Sequence, residues 1–125
     1  MIDLNDSTLR GLKIGIDVIE VERFRNKPLN NKNASFYHSI FTESELSYCM
    51  KYSDPYPHFA GIFAAKESVL KCLPRPIKMT EIEISHNRDG KPRIAARTKK
   101  IKSTQARLSI THTRSIAIAV AITRS

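Results

Sequence analysis

The chain has 125 residues, of which 41% are hydrophobic and 26% charged, a balance typical of a folded domain. This length predicts one domain spanning residues 1–125. No apolar run approaches the roughly 20 residues that cross a bilayer, and the N-terminus lacks a signal-peptide pattern. Cys49 and Cys72 lie among apolar neighbours without metal-ligand spacing. We therefore expect reduced thiols in a cytoplasmic protein without a membrane partner.

The net charge of +9 is distributed unevenly along the chain. Residues 1–89 carry equal numbers of acidic and basic side chains, whereas residues 90–125 carry nine basic side chains and no acidic one. Such a field favours a polyanionic partner, which is a nucleic acid, an anionic membrane, a phosphorylated small molecule or an acidic protein. A generally basic soluble surface is the simpler interpretation, and charge alone does not decide between them.

The first half of the chain predicts one strand and two helices. Residues 12–19 (LKIGIDVI) are rich in β-branched side chains, which indicates a strand. The following EVERFRNK can start a helix, which Pro28 and a cluster of asparagines would end. Thr42 followed by Glu45 is the capping-box pattern and predicts a helix over about residues 43–52.

A longer helix and a hairpin follow. Residues 58–73 (HFAGIFAAKESVLKCL) repeat apolar side chains at three- and four-residue spacing, and Pro74 would stop this helix. TEIEISHN and KPRIAAR then read as two strands joined by a tight turn at Asp89 and Gly90. Residues 99–106 are compatible with either a polar helix or a loop.

The chain closes with two strands, RLSITH and SIAIAVAITR, separated by a turn at Thr113 and Arg114. Strands joined by short turns imply an antiparallel α+β fold, with the long helix packed on a small sheet. The last strand, residues 116–122, is apolar on both faces. In so small a protein, this pattern suggests that another subunit covers one face.

The candidate chemistry centres on two acids. Asp17 lies in an apolar strand, where a carboxylate is costly to bury unless it forms a salt bridge or binds a metal. Glu67 and Lys71 lie four residues apart on the long helix with Lys66 adjacent, and the plain alternative is an exposed ion pair. Two carboxylates suit a magnesium ion that also binds phosphate oxygens, with lysines to neutralise phosphate charge. Carboxylates, lysines and a magnesium ion together suit a displacement reaction at phosphorus.

Histidines contribute one candidate. His112 follows a strand and precedes a turn, where either a structural or a site role is compatible with the sequence. His38, His58 and His86 show no spacing typical of a site, and we assign them no role.

Four segments resemble the holo-acyl-carrier-protein synthase family, the short 4′-phosphopantetheinyl transferases: GIDVIEVERF, FAAKESVLK, DGKP and SITHT. Their order and approximate spacing match the family over residues 12–122. The resemblance implies the 4′-phosphopantetheinyl transferase-like fold. It also implies Mg²⁺-dependent transfer of phosphopantetheine from coenzyme A to a serine of an acidic acyl carrier protein, with release of adenosine 3′,5′-bisphosphate. The carrier could serve fatty acid, polyketide or peptide synthesis.

The resemblance also assigns catalytic roles. Asp17 and Glu67 match the family's metal ligands, and Glu67 is a candidate base for the carrier serine, acting directly or through a water on the metal. Lys66 and Lys71 match basic residues near the coenzyme phosphates. By this resemblance Asp17, Glu67 and Lys71 form the catalytic set.

Further residues match the family's binding surfaces. Gly90, Lys91 and Pro92 correspond to a loop that lines the coenzyme site, and His112 to a histidine within it.

On the first helix, Arg23 corresponds to a basic position that contacts the acidic carrier, and Arg25 is a weaker candidate. Family members are homotrimers with their sites at subunit interfaces, which agrees with the doubly apolar last strand.

Two departures from the family pattern leave alternatives open. Many members have an arginine where this chain has Ile62, and a glycine-rich turn where it has Pro74-Arg75-Pro76. These changes allow an inactive relative that binds a carrier without modifying it. The basic third also allows a nucleic-acid-binding domain, but it contains no aromatic residue for stacking, so we expect no nucleic-acid partner.

Overall fold

The structure is a computed structural model that describes residues 7–99 and 105–124. The strands in this part of the chain are β1 (Leu12–Glu20), β2 (Ile82–His86), β3 (Pro92–Ala96), β4 (Gln105–His112) and β5 (Ile116–Arg124). The α-helices are α1 (Glu22–Arg25), α2 (Ala34–Ile40), α3 (Glu43–Met50) and α4 (Tyr56–Leu70). Short 3-10 turns cover Ser7–Leu9, Asn31–Asn33 and Met79–Glu81.

Two antiparallel sheets form around α4. Three strands pair in the order β1-β5-β4, and β2 pairs with β3 in a separate hairpin. In the larger sheet Asp17 on β1 lies opposite Ala119 on β5, which lies opposite Ile110 on β4. Helix α4 packs across this sheet, mainly against β1 and β5. The predicted α+β fold, with a small antiparallel sheet on the long helix, is confirmed.

Small residues on the inner face of the sheet let α4 lie close to it. Ala117, Ala119 and Ala121 of β5 are all buried under the helix. Gly15 on β1 comes closest, because a Cβ at this position would collide with the backbone carbonyl of Ser68 on α4. A larger residue at Gly15 would push β1 away from the helix.

The outer face of the same sheet is apolar and exposed. Its exposed aliphatic side chains are Ile14, Ile16 and Val18 of β1 and Ile116, Ile118 and Ile122 of β5. The prediction that β5 is apolar on both faces is confirmed, since its alanine row is buried and its isoleucine row is about 40% exposed. Covering of the outer row by another subunit stays a prediction.

An aromatic cluster joins the short helices to α4. The rings of Tyr37 on α2 and Phe41 just after it each lie 5.0 Å from the ring of Phe59 on α4, measured between centroids. Phe24 of α1 stacks on Phe36 at 5.9 Å. No helix is predicted from the sequence at α2, whose seven residues follow an asparagine-rich segment. Tertiary contacts of its aromatic side chains stabilise this helix.

Element boundaries shift by a few residues. The capping box of Thr42 and Glu45 is present and starts α3 as predicted, but α3 ends at Met50. Helix α4 begins and ends earlier than the predicted 58–73, with Pro57 in its first turn. The hairpin turn is confirmed, with Gly90 at a φ of 81°.

The polar segment at residues 99–106 is only partly described. Residues 100–104 lie outside the described residues, and β4 already begins at Gln105. Within residues 7–99 and 105–124, no helix is both long and apolar enough to cross a membrane.

Candidate active site

The close contact between β1 and α4 brings a carboxylate to the end of the helix. Along β1 the side chains alternate between the two faces of the sheet, and Asp17 lies on the same face as Gly15 and Ile19, toward α4. The Asp17 side chain is 18% exposed. It is therefore partly withdrawn from water but open to a ligand.

Lys71, just after α4, is the basic partner of this carboxylate. Its ammonium donates to the backbone oxygen of Ile16 at 2.7 Å and to Oδ1 of Asp17 at 3.3 Å. The Lys71 side chain is 51% exposed, so this ion pair is screened by solvent and contributes little stability. The salt bridge considered for Asp17 from the sequence thus exists, but it joins groups that remain accessible.

Glu67 lies one helical turn before Lys71 and so faces the same side of α4. The neighbouring Ser68 is the residue that approaches Gly15, and Lys71 reaches Asp17. Glu67 is half-buried between these two contacts. The fold therefore places Asp17 and Glu67 on two elements that touch each other, beside one flexible lysine.

These oxygen donors fit Mg²⁺. Magnesium is usually held in proteins by one or two carboxylates, with water and substrate phosphates in its other positions. Within the described residues, no group of three His, Cys, Asp or Glu side chains could hold a metal by itself. Asp17 and Glu67 are the residues that would hold the ion, together with a phosphate-bearing ligand.

Lys66 does not lie at this site. Its side chain is fully buried, and its ammonium donates to the backbone oxygens of Ile40 at 2.7 Å and Met79 at 2.9 Å. It also pairs at 2.5 Å with Glu45, whose side chain is equally buried. The sequence-based placement of Lys66 near the coenzyme phosphates needs correction, because three core acceptors already occupy its ammonium.

Glu45 completes this buried pair. Its two carboxylate oxygens accept from the backbone N–H groups of Thr42 at 2.8 Å and Ile84 at 2.7 Å. Burial raises the pKa of Glu45 and lowers the pKa of Lys66, while their mutual attraction opposes both shifts. The pair joins α2, α3, α4 and β2, and so holds α4 in one rotational position.

A cleft of about 280 Å³ lies near the other end of α4. Three residues that the sequence analysis assigned to the coenzyme site, Gly90, Pro92 and His112, line it together. Lys91 is exposed in the same hairpin turn, where its N–H donates to the side chain of Asn87 at 2.9 Å. Tertiary structure thus gathers three of the six residues predicted to bind the coenzyme, from β3, its preceding turn and β4.

Four further side chains, each with a ring and a polar atom, line this cleft: Tyr48, Tyr52, His58 and His86. None of them is predicted from the sequence. The two tyrosines lie on α3 or just after it, one histidine on α4 and the other at the end of β2. The sequence offers only their residue types, imidazole or phenol, at positions near the ends of helices and strands. Spacing could not identify them, because they come from elements far apart in the chain.

The two predicted carrier-binding arginines occupy different environments. The guanidinium of Arg23 lies 4.8 Å above the ring of Phe63, four residues before Glu67 on α4. Arg25 instead forms a two-pronged hydrogen bond with Asp54, at 3.0 and 2.7 Å. Arg23 is therefore an exposed charge near the carboxylates, whereas the charge of Arg25 is already paired.

Comparison with known proteins identifies the family of this chain. A family model described as the 4′-phosphopantetheinyl transferase superfamily matches residues 13–121. The chain belongs to this superfamily. It is 42% identical over 120 residues to a holo-acyl-carrier-protein synthase of Caldanaerobacter subterraneus subsp. tengcongensis, covering 87% of this chain and 91% of the relative. It is 38% identical to the synthase of Clostridium tetani, covering 89% and 94% of the two chains.

Solved structures of the superfamily share the fold. The holo-acyl-carrier-protein synthase of Helicobacter pylori in complex with coenzyme A superposes with a TM-score of 0.78 at 28% identity, covering 89% of this chain and 99% of that one. The Bacillus anthracis synthase in complex with CoA (3′,5′-ADP) has a TM-score of 0.74 at 28% identity, covering 90% and 95%. The family resemblance read from the sequence is confirmed.

The buried pair of Lys66 and Glu45 should be important for stability. Lys66→Met should lower the free energy of unfolding by about 3–5 kcal/mol, because it leaves the Glu45 carboxylate buried without its partner. Adding Glu45→Gln should restore part of this loss. Urea denaturation followed by circular dichroism measures both effects.

Lys71→Met is the matched control, since its half-exposed ion pair should contribute less than about 1 kcal/mol. A Lys66→Met protein of normal stability that binds coenzyme A poorly would show that Lys66 contacts the phosphates after all.

Proposed function

We propose that this transferase moves the 4′-phosphopantetheine group of coenzyme A onto a serine of an acyl carrier protein. The proposal rests on one observation. The close approach of β1 to α4 brings Asp17 into contact with Lys71, one helical turn after Glu67. It occurs in a chain that matches holo-acyl-carrier-protein synthases over most of its length. The adenosine 3′,5′-bisphosphate part of coenzyme A leaves as the second product.

The reaction is a displacement at phosphorus. The serine oxygen forms a bond to the phosphorus that carries pantetheine, and the bond from this phosphorus to the bridging oxygen of the pyrophosphate breaks. The serine proton passes to the Glu67 carboxylate, which is half-buried and points to the same side as Lys71. The Lys71 ammonium can leave its long contact with Asp17 to neutralise charge on the departing phosphate. Bound Mg²⁺ would supply further charge neutralisation at the pyrophosphate.

The cleft lined by Gly90, Pro92 and His112 is the proposed binding surface for the coenzyme, with Lys91 at its rim. Gly90 adopts a positive φ and has open space around it, so its backbone is accessible to a ligand. His58 lies nine residues before Glu67 on α4, a rise of about 14 Å. Within one chain, the cleft and the carboxylates therefore lie toward opposite ends of this helix.

A homotrimer with sites between subunits explains this separation, because the cleft of one subunit then meets the carboxylates of its neighbour. The outer face of the β1-β5-β4 sheet supplies a surface for such an assembly. Its isoleucines are 39–72% exposed in the single chain, and burying them is favourable.

Arg23 is the proposed steering charge for the acidic carrier. It lies over Phe63, one helical turn from Glu67, so a carrier helix docked on Arg23 brings its serine toward the reacting phosphate. Arg25 is a weaker carrier contact, since Asp54 already binds it. The two free thiols, Cys49 and Cys72, suit a reducing compartment, and we place this single-domain enzyme in the cytoplasm.

Intact mass spectrometry tests the proposed reaction. Incubating the protein with coenzyme A, Mg²⁺ and an apo acyl carrier protein should add one phosphopantetheine group to the carrier. Asp17→Asn and Glu67→Gln should each reduce turnover at least about a hundredfold, because each removes an anionic oxygen donor. Glu20→Gln, an exposed carboxylate on the same strand, is the control and should retain turnover. Carrier binding without any mass gain would favour an inactive relative instead.

Assembly is tested by light scattering at micromolar concentration. The protein should have three times the mass of the chain, and Ile118→Lys on the outer face of β5 should yield monomers with little activity. Ser35→Lys adds the same charge at an exposed position of α2 and should leave the trimer intact. A monomeric and fully active wild-type protein would contradict the shared site.

Carrier recognition is tested by Arg23→Glu. The apparent KM for the carrier should rise tenfold or more, about 1.4 kcal/mol, because the variant repels an acidic surface. The salt dependence of carrier association should weaken, while coenzyme affinity should stay unchanged. Lys78→Glu, an exposed charge reversal before β2, is the comparison variant. Loss of coenzyme affinity with normal carrier affinity would instead place Arg23 at the nucleotide.

A further inference from the structure

The cleft contains a layer of rings built from two parallel stacks. Tyr52 lies 3.5 Å from His58 at an interplanar angle of 16°, and Tyr48 lies 4.0 Å from His86 at 4°. The hydroxyl of Tyr52 donates to that of Tyr48 at 3.2 Å, which joins the two stacks. The layer therefore holds each imidazole in a defined plane on the wall of the cleft.

His58 is the member of this layer nearest to His112. Their rings lie 5.0 Å apart at 75°, so two imidazoles from α4 and β4 face one part of the cleft. The remaining wall near them is apolar, formed by Gly61, Ile62 and Ile110. A phenylalanine could fill the same stack on Tyr52, but it would bring no polar atom into the cleft.

The surroundings of His58, above all its burial, disfavour a proton on its imidazole in the free protein. Burial lowers the pKa of His58, and the nearby His112 and His86 lower it further, whereas the Asp54 carboxylate raises it. The raising effect is limited, because Asp54 is bound by the guanidinium of Arg25. Near neutral pH the imidazole of His58 is therefore mainly neutral.

A proton is also disfavoured on His86, the imidazole of the other stack. Burial lowers its pKa, and Lys51 lowers it further. Its Nδ1 atom is buried and has no hydrogen-bond partner within the described residues. A buried polar atom of this kind is unfavourable unless water or a ligand satisfies it.

We propose that His58 contacts a phosphate group of the coenzyme and takes up a proton from solvent when that phosphate enters the cleft. This inference rests on the proposed function, and it makes His58, together with His112, a determinant of phosphate recognition. A phosphate anion in the cleft beside the two imidazoles stabilises imidazolium and forms charge-assisted hydrogen bonds with it. Proton uptake then couples coenzyme affinity to pH.

The direction of this pH dependence follows from the pKa of His58 in the free and in the phosphate-bound protein. His58 has a pKa below 6.5 in the free protein and a higher one with phosphate bound, so affinity should increase as pH falls between these two values. One linked proton gives at most a tenfold change in affinity per pH unit. Phosphate itself titrates near pH 6, so the contribution of His58 is the difference between the wild type and a variant lacking the imidazole.

Calorimetry of the intact protein with adenosine 3′,5′-bisphosphate tests the inference without requiring catalysis. Titrations in two buffers of different ionisation enthalpy at pH 6.5 should show more proton uptake for the wild type than for His58→Phe. The dissociation constant of the wild type, measured from pH 5.5 to 8.5, should also show an extra affinity gain at low pH that His58→Phe lacks. In turnover assays, the effect of His58→Phe should appear in KM for coenzyme A at pH 6.5 and vanish at pH 8.5.

Controls separate charge from packing. His58→Phe keeps a ring on Tyr52, and His58→Gln keeps a polar group without titration, so both should lose the extra proton uptake. His38→Phe removes an exposed histidine on α2 and should behave like the wild type. Adenosine, which has no phosphate, should bind without the extra proton uptake.

The outcomes also distinguish this inference from the proposed function. Equal proton uptake by wild type and His58→Phe would overturn the role of His58 while leaving the transferase reaction intact. Equal pH dependence for adenosine and its bisphosphate would also overturn it. A wild-type protein that binds neither coenzyme A nor the bisphosphate at any pH would overturn both.

Discussion

The close approach of β1 to α4 is the constraint on which the rest of the structure depends. It requires a residue without a side chain at Gly15, because the backbone carbonyl of Ser68 occupies the space that a Cβ would need. The buried alanines of β5 continue the same flat surface under the helix. Because the two elements touch here, Asp17 lies two residues beyond the contact and meets Lys71 at the end of the helix. A local packing requirement thereby sets the geometry of the candidate active site.

Helix α4 carries different chemistry on neighbouring positions. Successive residues on a helix turn by about 100°, so Lys66 and Glu67 point in different directions although they are adjacent. Lys66 enters the core and pairs with Glu45, while Glu67 stays near the surface on the side of Lys71. The buried pair is costly to desolvate, but once formed it resists rotation of the helix. The orientation of the candidate site residues thus depends on a pair that is fully buried in the core.

The proposed chemistry is divided between the two ends of the same helix. Accessible oxygen donors and an exposed ammonium lie at its C-terminal end, whereas aromatic rings and imidazoles line a cleft near its N-terminal half. The first environment suits charge development at phosphorus, and the second suits recognition of a nucleotide by stacking and by phosphate contacts. The exposed isoleucines of the outer sheet face offer the means to combine the two environments in an assembly.

Features that depend on neighbouring residues could be predicted from the sequence. The capping box of Thr42 and Glu45 starts α3, and Gly90 permits the hairpin turn, because both are local backbone requirements. The alternation of alanine and isoleucine along β5 likewise indicated two apolar faces. The family resemblance identified Asp17 and Glu67, which the fold places on touching elements.

Features that depend on packing between distant segments could not be read in this way. Lys66 looked like a phosphate ligand beside Glu67, but its ammonium meets acceptors from Ile40, Glu45 and Met79, which only the folded chain brings together. Helix α2 has weak local signals and is stabilised by rings on other helices. His58 and His86 have no informative spacing, because α3, α4 and β2 form their surroundings. The sequence by itself determined the local elements and the reactive residue types; only the tertiary structure decided which charges are buried and which face a ligand, because burial depends on residues far apart in the chain.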